Sequence, residues 1–328
     1  MADGPGYESA RVKHGNVGER QKLMITGGRG MVGRNLIARC QDSNWHIMAP
    51  SSVELDLRDG ASVQKYLNFH KPTAVVHAAG VVGGIHANIS DPINFLADNA
   101  AMAINVIMSS YQAGVRTVIN LSSSCMYPTS IDGALKEDDV LRGPFEVTNE
   151  GYALAKTVGL KLCQYIRKSS GFDYKTLIAC NLYGVGDNFD PDSSHLMAAI
   201  IDKVHRAIVY RHREIDVWGD GSARREFIYA YDFADIIIKT LNNSQKVPDV
   251  MNVGAGHDNS IIEYYQLVAK VIGWRGEFKF DTARPVGMKR KLLDISNLRA
   301  LGWIPQTSFE EGIRKAYEYY LTGKEIYK

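Results

Sequence analysis

The sequence predicts an α/β fold, in which a doubly wound parallel sheet of the Rossmann type is joined to a smaller C-terminal α/β domain. Two observations favour this fold class. Residues 22–26 form a short apolar run that leads into a glycine-rich turn and then into a helix-like segment, which is the order of a strand–turn–helix unit in such sheets. Short apolar runs then alternate with helical patterns as far as about residue 180, and this alternation is typical of parallel sheets.

The glycine-rich turn is the first candidate for a binding site. Its glycines satisfy both G-x-G-x-x-G and G-x-x-G-x-x-G. Glycines at these places allow a tight turn and let a pyrophosphate lie against the N-terminus of the next helix. The turn therefore predicts a dinucleotide site, and we assign these residues of it to the cofactor: Gly27, Arg29, Gly30, Met31, Val32 and Gly33.

The end of the second predicted strand, residues 45–49, favours NADP over NAD. An NAD site often carries an acidic residue at this place, but here the strand runs into the Pro-Ser-Ser stretch of residues 50–52. Arg29 can neutralise a 2′-phosphate, and the two serines can donate hydrogen bonds to it. Asp56 and Leu57 follow a few residues later, and we assign them to the adenine end of the cofactor.

Composition excludes several classes of protein. The 328 residues carry a formal net charge of +2, with 45% hydrophobic and 23% charged residues, so nothing favours nucleic acid or a membrane as a partner. We expect residues 1–20 to form a flexible arm, since they lack the apolar stretch of a secretory signal. Cys40, Cys125, Cys163 and Cys180 have neither C-x-x-C nor zinc-finger spacing. We therefore expect reduced thiols, no metal site and a cytoplasmic protein.

Chemistry is expected where the fourth predicted strand ends and the next helix begins. Residues 117–121 lead into the hydroxyls of residues 122–124, and ligands in such sheets collect beyond the carboxyl ends of the strands. Tyr152 and Lys156 lie four residues apart in a helical segment, so both side chains fall on one face. A nearby ammonium favours the phenolate, so we expect the pKa of the tyrosine to be lowered toward neutral. Such a group can exchange a proton with a carbinol oxygen.

Together these features resemble the extended short-chain dehydrogenase/reductase family, which carries a Ser-Tyr-Lys triad beside a glycine turn. Within that family the chain resembles the epimerase–reductases that act on GDP-4-keto-6-deoxymannose. The resemblance runs from about residue 22 to the C-terminal helix. It is carried by motifs that follow one another in the expected order: Gly30-Met31-Val32-Gly33, Val82-Gly83-Gly84-Ile85, Ser123-Ser124-Cys125-Met126-Tyr127-Pro128, Thr148-Asn149-Glu150-Gly151-Tyr152-Ala153, Asn181-Leu182-Tyr183-Gly184, Asp187-Asn188-Phe189, Arg225-Glu226-Phe227 and Arg290-Lys291-Leu292-Leu293-Asp294.

The resemblance implies NADP(H) as the cofactor and a catalytic role for each of five residues. Ser123 and Tyr152 act on the oxygen of the C4 ketone, and Lys156 tunes the tyrosine and holds the nicotinamide ribose. Cys125 and His195 act as base and acid in the inversion of C3 and C5, because the ketone acidifies the protons on both carbons. Tyr152, Lys156 and His195 are also assigned to the cofactor.

Substrate contacts are implied by the same resemblance. Arg225 and Lys291 match contacts to the diphosphate of the nucleotide sugar, as expected for charge-assisted phosphate binding. Lys203 and Trp218 are assigned as further substrate-binding residues. A homodimer formed through two helices is implied by the family as well.

The predicted organisation places the NADP-binding domain in residues 21–180. Residues 181–328 form mainly the nucleotide-sugar domain, with segments near 225–255 returning to the first domain. The implied reaction is the 3,5-epimerisation and 4-reduction of GDP-4-keto-6-deoxymannose.

Two alternative functions stay open. One is a C4 reductase, with or without epimerisation, of another GDP-4-keto sugar such as a heptose or a dideoxyhexose. The other is a dinucleotide-sensing regulator on the same fold. The presence of both Cys125 and His195 favours the epimerising enzyme, and the presence of Tyr152 and Lys156 disfavours the regulator.

Overall fold

The computed structural model describes residues 21–41, 43–191, 193–284 and 287–326. The arm predicted at residues 1–20 lies outside the described residues. In the described part of the chain the strands are, in order, β1 (Lys22–Thr26), β2 (His46–Met48), β3 (Ala74–His77), β4 (Thr117–Ser123), β5 (Asp173–Ala179), β6 (Asn181–Tyr183), β7 (Glu214–Trp218), β8 (Arg224–Arg225), β9 (Phe227–Tyr229), β10 (Val250–Val253), β11 (Asn259–Ser260), β12 (Glu277–Asp281) and β13 (Arg290–Lys291). The helices are α1 (Met31–Arg39), α2 (Gly60–His70), α3 (Ile85–Ser90), α4 (Pro92–Gln112), α5 (Glu150–Ser170), α6 (Leu196–Val209), α7 (Ala230–Asn242), α8 (Ile261–Ile272), α9 (Ser296–Ala300) and α10 (Phe309–Ile326).

The central sheet has six parallel strands in the order β10-β5-β4-β3-β1-β2. Its strands are apolar on both faces because helices cover both sides. In β1, Leu23 and Ile25 pack on one face of the sheet and Met24 packs on the other, as the two-residue period of a strand requires; the apolar side chains around the sheet are the first core of the molecule. The predicted doubly wound parallel sheet is therefore confirmed.

The order of the strands reverses beside β1, because β2 and β3 lie on opposite sides of it. Ligands in such sheets bind in the crevice at this reversal. The turn after β1 approaches the end of β3 so closely that a Cβ on Gly27 would lie 2.8 Å from the Cα of Ala79. Gly27 also has a φ of +70°, a conformation that favours glycine. Only glycine fits at this position, the narrowest point of the crevice.

A second core forms among the residues that follow β5. Helix α6 contributes Met197, Ile200, Ile201 and Val204 to it, and this spacing of three and four residues makes one apolar face of a helix. Helices α8 and α10 pack against the same core. Small sheets complete this part of the molecule, in which β7 pairs with β12, β6 with β9, and β8 with both β11 and β13.

The chain crosses back to the first core twice. The first return consists of α7, which is joined to α1 by an ion pair of 2.8 Å between Arg39 and Asp235, and of β10, which pairs with β5. A return was predicted near residues 225–255, but Arg225 itself lies in β8 in the small sheet. The second return was not predicted, and the domain boundary at residue 180 stays a prediction.

The second return brings residues 293–303 onto the first core. Leu293 and Leu298 are buried there with Leu135. The N–H of Leu135 donates to the carbonyl of Leu292 at 2.9 Å, and the N–H of Asp294 donates to the carbonyl of Leu135 at 2.8 Å. These backbone bonds fasten the end of β13 to the half of the molecule that carries the central sheet.

Candidate active site

One cleft of about 1160 Å³ lies at the carboxyl ends of the central strands, between the two cores. The structure brings every sequence-predicted site residue to its wall. The cofactor and catalytic candidates are Gly27, Arg29, Gly30, Met31, Val32, Gly33, Asp56, Leu57, Ser123, Cys125, Tyr152, Lys156 and His195. The substrate candidates are Lys203, Trp218, Arg225 and Lys291.

The glycine turn is packed tightly on its protein side and open on its cleft side. A Cβ on Gly33 would lie 2.2 Å from the carbonyl oxygen of Gly27, whereas a Cβ on Gly30 would approach only that oxygen, at 3.4 Å. Gly30 caps α1 without a side-chain hydrogen bond, so the first N–H groups of the helix can bind an anion in the cleft. The turn therefore fits the pyrophosphate of a dinucleotide.

The neighbourhood of the predicted 2′-phosphate site differs from the expectation in one respect. The carboxylate of Glu54 accepts hydrogen bonds from the N–H of Ser51 at 2.8 Å and from its hydroxyl at 2.7 Å. These bonds lower the pKa of Glu54, and the charge of Arg29 lowers it further. The N–H and the hydroxyl of Ser51 are thus both used in hydrogen bonds within its own loop. Arg29 and the exposed Ser52 remain as the groups that can bind a 2′-phosphate.

Asp56 lies at the same end of the cleft and is ion-paired. Arg58 donates to its carboxylate from Nη2 at 2.9 Å and also reaches Asp98 of α4 at 3.3 Å. The hydrogen bonds from Arg58 lower the pKa of Asp56 to about 2. Leu57 is buried beside it. The assignment of Asp56 and Leu57 to adenine stays a prediction.

The Ser-Tyr-Lys group is assembled from the end of β4 and the first turns of α5. Ser123 is the last residue of β4, and its Oγ accepts a hydrogen bond from the N–H of Cys125 at 3.4 Å. Lys156 Nζ donates to the carbonyl of Leu121 at 3.1 Å and lies 5.5 Å from the centre of the Tyr152 ring. The spacing of four residues on α5 thus places the ammonium beside the phenol, and the bond to Leu121 ties it to the strand that carries Ser123.

Burial changes the protonation of this pair in a way that the spacing did not predict. It raises the pKa of Tyr152 well above its ordinary value and lowers the pKa of Lys156 to about 8. The expected lowering of the tyrosine pKa is therefore wrong for the structure described, because burial desolvates the phenolate and Cys125 raises the pKa further. The phenol is neutral near pH 7, which is the form that can donate a proton.

Cys125 and His195 reach the cleft from opposite halves of the molecule. Cys125 follows β4, and its Sγ lies 3.8 Å from the carbonyl oxygen of Ser123. Burial raises the pKa of this thiol, while Ser123, Lys291 and Lys156 lower it in part. His195 is the N-cap residue of α6, and burial lowers its pKa. In these surroundings the thiol is protonated and the imidazole is neutral, so Cys125 must lose its proton before it can act as a base.

The two residues assigned to the diphosphate are neighbours on adjacent strands. Arg225 of β8 and Lys291 of β13 are paired in the parallel register of that small sheet. Arg225 Nη1 donates to the carbonyl of Met288 at 2.6 Å, which holds the guanidinium at the wall of the cleft. Burial lowers the pKa of both side chains. Two cations side by side form a site suited to a diphosphate.

Lys203 and Trp218 meet at the far end of the cleft. Lys203 Nζ lies 5.5 Å from the centre of the Trp218 ring and donates to the carbonyl of Asp216 at 3.0 Å. Sequence reasoning missed two residues that complete this cluster. Tyr265 accepts a hydrogen bond from Lys203 at 3.3 Å, and the guanidinium of Arg284 lies 5.0 Å from the Trp218 ring. Tyr265 belongs to the buried face of an amphipathic helix, so its pattern indicated only packing.

Glu146 and Asn149 also line the cleft and were not singled out as site residues. Within the residues that the structure describes, no group of His, Cys, Asp and Glu side chains is arranged to hold a metal ion. None of the described helices is long and apolar enough to span a membrane.

Comparisons with known proteins agree with this architecture. The NAD dependent epimerase/dehydratase family matches residues 23–254. The chain is 65% identical over 312 residues to a GDP-L-fucose synthase of Azorhizobium caulinodans, which covers 95% of this chain and 100% of the relative. It is 48% identical over 304 residues to a GDP-L-colitose synthase of Yersinia pseudotuberculosis, which covers 92% and 99%. A solved GDP-mannoheptose C4 reductase from Campylobacter jejuni with NADP bound is 28% identical, with a TM-score of 0.83 and coverage of 92% and 98%.

The matches to the two relatives and to the solved reductase extend over nearly the whole chain, and the family match includes the turn, the strand end and the helix that form the cleft. The resemblance drawn from the sequence motifs is confirmed by them. The chain belongs to the NAD dependent epimerase/dehydratase family.

Proposed function

We propose that this chain is a GDP-L-fucose synthase, which inverts C3 and C5 of GDP-4-keto-6-deoxy-D-mannose and reduces C4 with NADPH to give GDP-L-fucose. The observation that carries the proposal is that one cleft holds both a Ser-Tyr-Lys group for reduction and a Cys–His pair for inversion. The identity of 65% to a GDP-L-fucose synthase supports the same reaction. NADP(H) as the cofactor is supported by the C4 reductase that carries NADP.

The reduction requires a hydride donor at the C4 carbon and a proton donor at the C4 oxygen. NADPH supplies the hydride when it is bound. The neutral phenol of Tyr152 gives its proton to the C4 oxygen, and the hydroxyl of Ser123 donates a hydrogen bond to the same oxygen. Lys156, with a pKa of about 8, can return a proton to the tyrosine near neutral pH and bind the nicotinamide ribose.

The inversion uses the acidity that the C4 ketone gives to the protons on C3 and C5. Removal of either proton leaves an enolate whose negative charge lies on the C4 oxygen, where Ser123 and Tyr152 can stabilise it. The thiol proton of Cys125 is proposed to move first to the imidazole of His195 through water, which gives a thiolate and an imidazolium. The thiolate then removes the proton from the sugar and the imidazolium returns one to the opposite face, so both residues end in their starting forms. The positive charges of Lys156 and Lys291 favour the thiolate that this role needs.

Product analysis in D₂O tests the proposal. The enzyme is incubated with GDP-4-keto-6-deoxymannose and NADPH, while nicotinamide oxidation is followed optically and the sugar by NMR. We expect oxidation together with deuterium at C3 and C5 and a product of L-galacto configuration. The Cys125→Ser variant should lose deuterium incorporation. Oxidation without deuterium in the wild-type protein would leave a plain C4 reductase, and an absence of oxidation with either NADPH or NADH would contradict the substrate.

A C4 reductase of another GDP-4-keto sugar is the second candidate. The similarity to a GDP-mannoheptose C4 reductase favours it. The same assay with a GDP-4-keto-heptose separates the two, because the better substrate has the higher kcat/KM. We further propose that the protein works as a homodimer in the cytoplasm.

A further inference from the structure

A carboxylate lies in the cleft beside the cations assigned to the diphosphate. Glu146 lies three residues before Asn149, which is the N-cap residue of α5. Tyr152 follows Asn149 by three residues on that helix. Burial lowers the pKa of both Arg225 and Lys291, and the negative charge of Glu146 offsets part of that lowering. A carboxylate at this place repels a phosphate, so binding of the diphosphate does not account for it.

The carboxylate is held in one orientation by its own segment. The hydroxyl of Thr148 donates to one of its oxygens, and Nδ2 of Asn149 donates to the other at 3.1 Å. Because the carboxylate can only accept, the amide of Asn149 must turn its N–H₂ group toward Glu146. The remaining Oδ1 of Asn149 is buried and has no hydrogen-bond partner among the described residues.

The two side chains thus have several unused hydrogen-bond acceptors, and their one spare donor is the second N–H of the Asn149 amide. Each oxygen of Glu146 keeps a lone pair beyond the one used by Thr148 or Asn149, and Oδ1 of Asn149 is entirely unused. A phosphate cannot satisfy these acceptors, since it also accepts, and the negative charge of Glu146 repels it. A hydroxyl group can, because it donates to an acceptor, and a buried acceptor without a donor is costly.

We propose that Glu146 and Asn149 bind the C2 hydroxyl of the hexose and so determine which sugars the enzyme accepts. This inference rests on the proposed function. With the diphosphate at Arg225 and Lys291 and the C4 oxygen at Ser123, the hexose ring lies between these groups. The C2 hydroxyl is next to the anomeric carbon, which carries the diphosphate. Glu146 interacts electrostatically with Arg225 and Lys291, the cations assigned to that diphosphate. A site built to bind a substrate hydroxyl discriminates strongly against a sugar that lacks it.

Calorimetric titration of the NADP⁺-bound protein tests the proposal without turnover. The ligands are GDP, GDP-mannose and GDP-2-deoxymannose, and the variant is Glu146→Gln. We expect the Kd for GDP-mannose to rise about tenfold or more, as for the loss of a hydrogen bond to a charged group. The Kd values for GDP and GDP-2-deoxymannose should stay the same or fall, because loss of the carboxylate charge relieves its repulsion of the diphosphate. Glu150→Gln is the matched control, because Glu150 is exposed on the first turn of α5.

Each other result has a distinct meaning. An equal loss of affinity for GDP would show that Glu146 only orients Arg225 and Lys291, which overturns the proposal. An equal loss for both sugars, with GDP unchanged, would overturn the assignment to C2. If the wild-type protein binds neither GDP nor GDP-mannose, the proposed function itself fails, and the inference fails with it. A thermal melt of Glu146→Gln that matches the wild-type melt confirms that the variant is folded.

Discussion

Tyr152 and Lys156 show how far a spacing of four residues determines the chemistry of a pair. The spacing correctly places the ammonium beside the phenol, 5.5 Å from the ring centre. It does not determine the pKa of either group, because that depends on how much protein covers them. Burial raises the pKa of the tyrosine and lowers that of the lysine, and burial is a tertiary property.

The proton that the reduction needs should come from Tyr152. We expect Tyr152→Phe to lower kcat for NADPH oxidation by about 10²- to 10⁴-fold, the usual contribution of a positioned acid. Deuterium exchange at C3 and C5 should continue at a lower rate, because the thiol and the imidazole remain in place while Ser123 alone stabilises the enolate. Stopped-flow measurement of NADPH oxidation, combined with NMR in D₂O, checks both parts. Oxidation at the wild-type rate would contradict the assignment.

Arg29 should select NADPH over NADH. It is exposed at the cleft wall beside Glu54, where it can pair with a 2′-phosphate. We expect Arg29→Ala to raise the KM for NADPH about tenfold and to leave the KM for NADH nearly unchanged. Arg39→Ala is a suitable control because Arg39 pairs with Asp235 in the contact between α1 and α7. An equal change for both cofactors would contradict a contact with the phosphate.

Glu226 should make the stability of the protein depend on pH. It is fully buried, accepts hydrogen bonds from the N–H groups of Gly256 and Leu293, and burial raises its pKa to about 7. The folded protein holds this proton more tightly than the unfolded chain does. The free energy of unfolding should therefore decline as pH rises from about 4.5 to about 7, by roughly 3 kcal/mol.

The Glu226→Gln variant, whose side chain does not titrate, should lose that decline. Urea unfolding at several pH values between 4.5 and 8 measures the slope for each protein. The slopes are compared, not the absolute stabilities, because the amide also changes the hydrogen bonds of the site. A variant with the wild-type slope would show that another group is responsible.

Among the structural elements, the glycine turn was the easiest to predict, because its glycines serve backbone geometry that is encoded locally. Gly33→Ala should lower the free energy of unfolding by about 2–4 kcal/mol, since its Cβ would overlap the carbonyl of Gly27 at 2.2 Å. Gly30→Ala is the matched control, because its Cβ meets the protein only at 3.4 Å. The control should keep the stability of the wild-type protein. Chemical denaturation of both variants measures the difference.

The contacts made by the elements that follow β5 were harder to predict from local patterns. Tyr265 lies on the buried face of α8 and Arg284 follows β12, so nothing in the sequence near either residue indicates a contact with Lys203 or with the Trp218 ring. The pairing of Arg225 with Lys291 joins strands more than sixty residues apart, and a pairing at that distance depends on the whole fold. Glu146 was missed for a similar reason, since its significance lies in the cations brought beside it.

For the whole molecule, the predicted homodimer has a candidate surface on α4 and α5, which pack side by side. Large apolar side chains are exposed on both helices, among them Ile93 at 77%, Tyr165 at 65% and Leu154 at 40%. An exposed apolar surface of this kind is typical of an interface. We expect the wild-type protein to be a dimer by light scattering and the double variant Ile93→Glu with Leu154→Glu to be monomeric.

Phe69→Glu is the control for this surface. Phe69 is 79% exposed but belongs to α2, so its substitution should leave the dimer intact. A wild-type protein that elutes as a monomer at micromolar concentration would contradict the prediction. A double variant that remains dimeric would place the interface elsewhere.

The central sheet depends on two distant parts of the chain, and this dependence constrains how the protein is made. Residues 293–303 complete the core around Leu135, and the N–H of Leu293 satisfies the buried carboxylate of Glu226. Nearly the whole chain must therefore leave the ribosome before the core of the cofactor-binding half can be completed. Until then its unfinished apolar surface is exposed to chaperones. A premature stop after residue 254, the last residue matched by the family, would yield a nascent chain that cannot complete its folding.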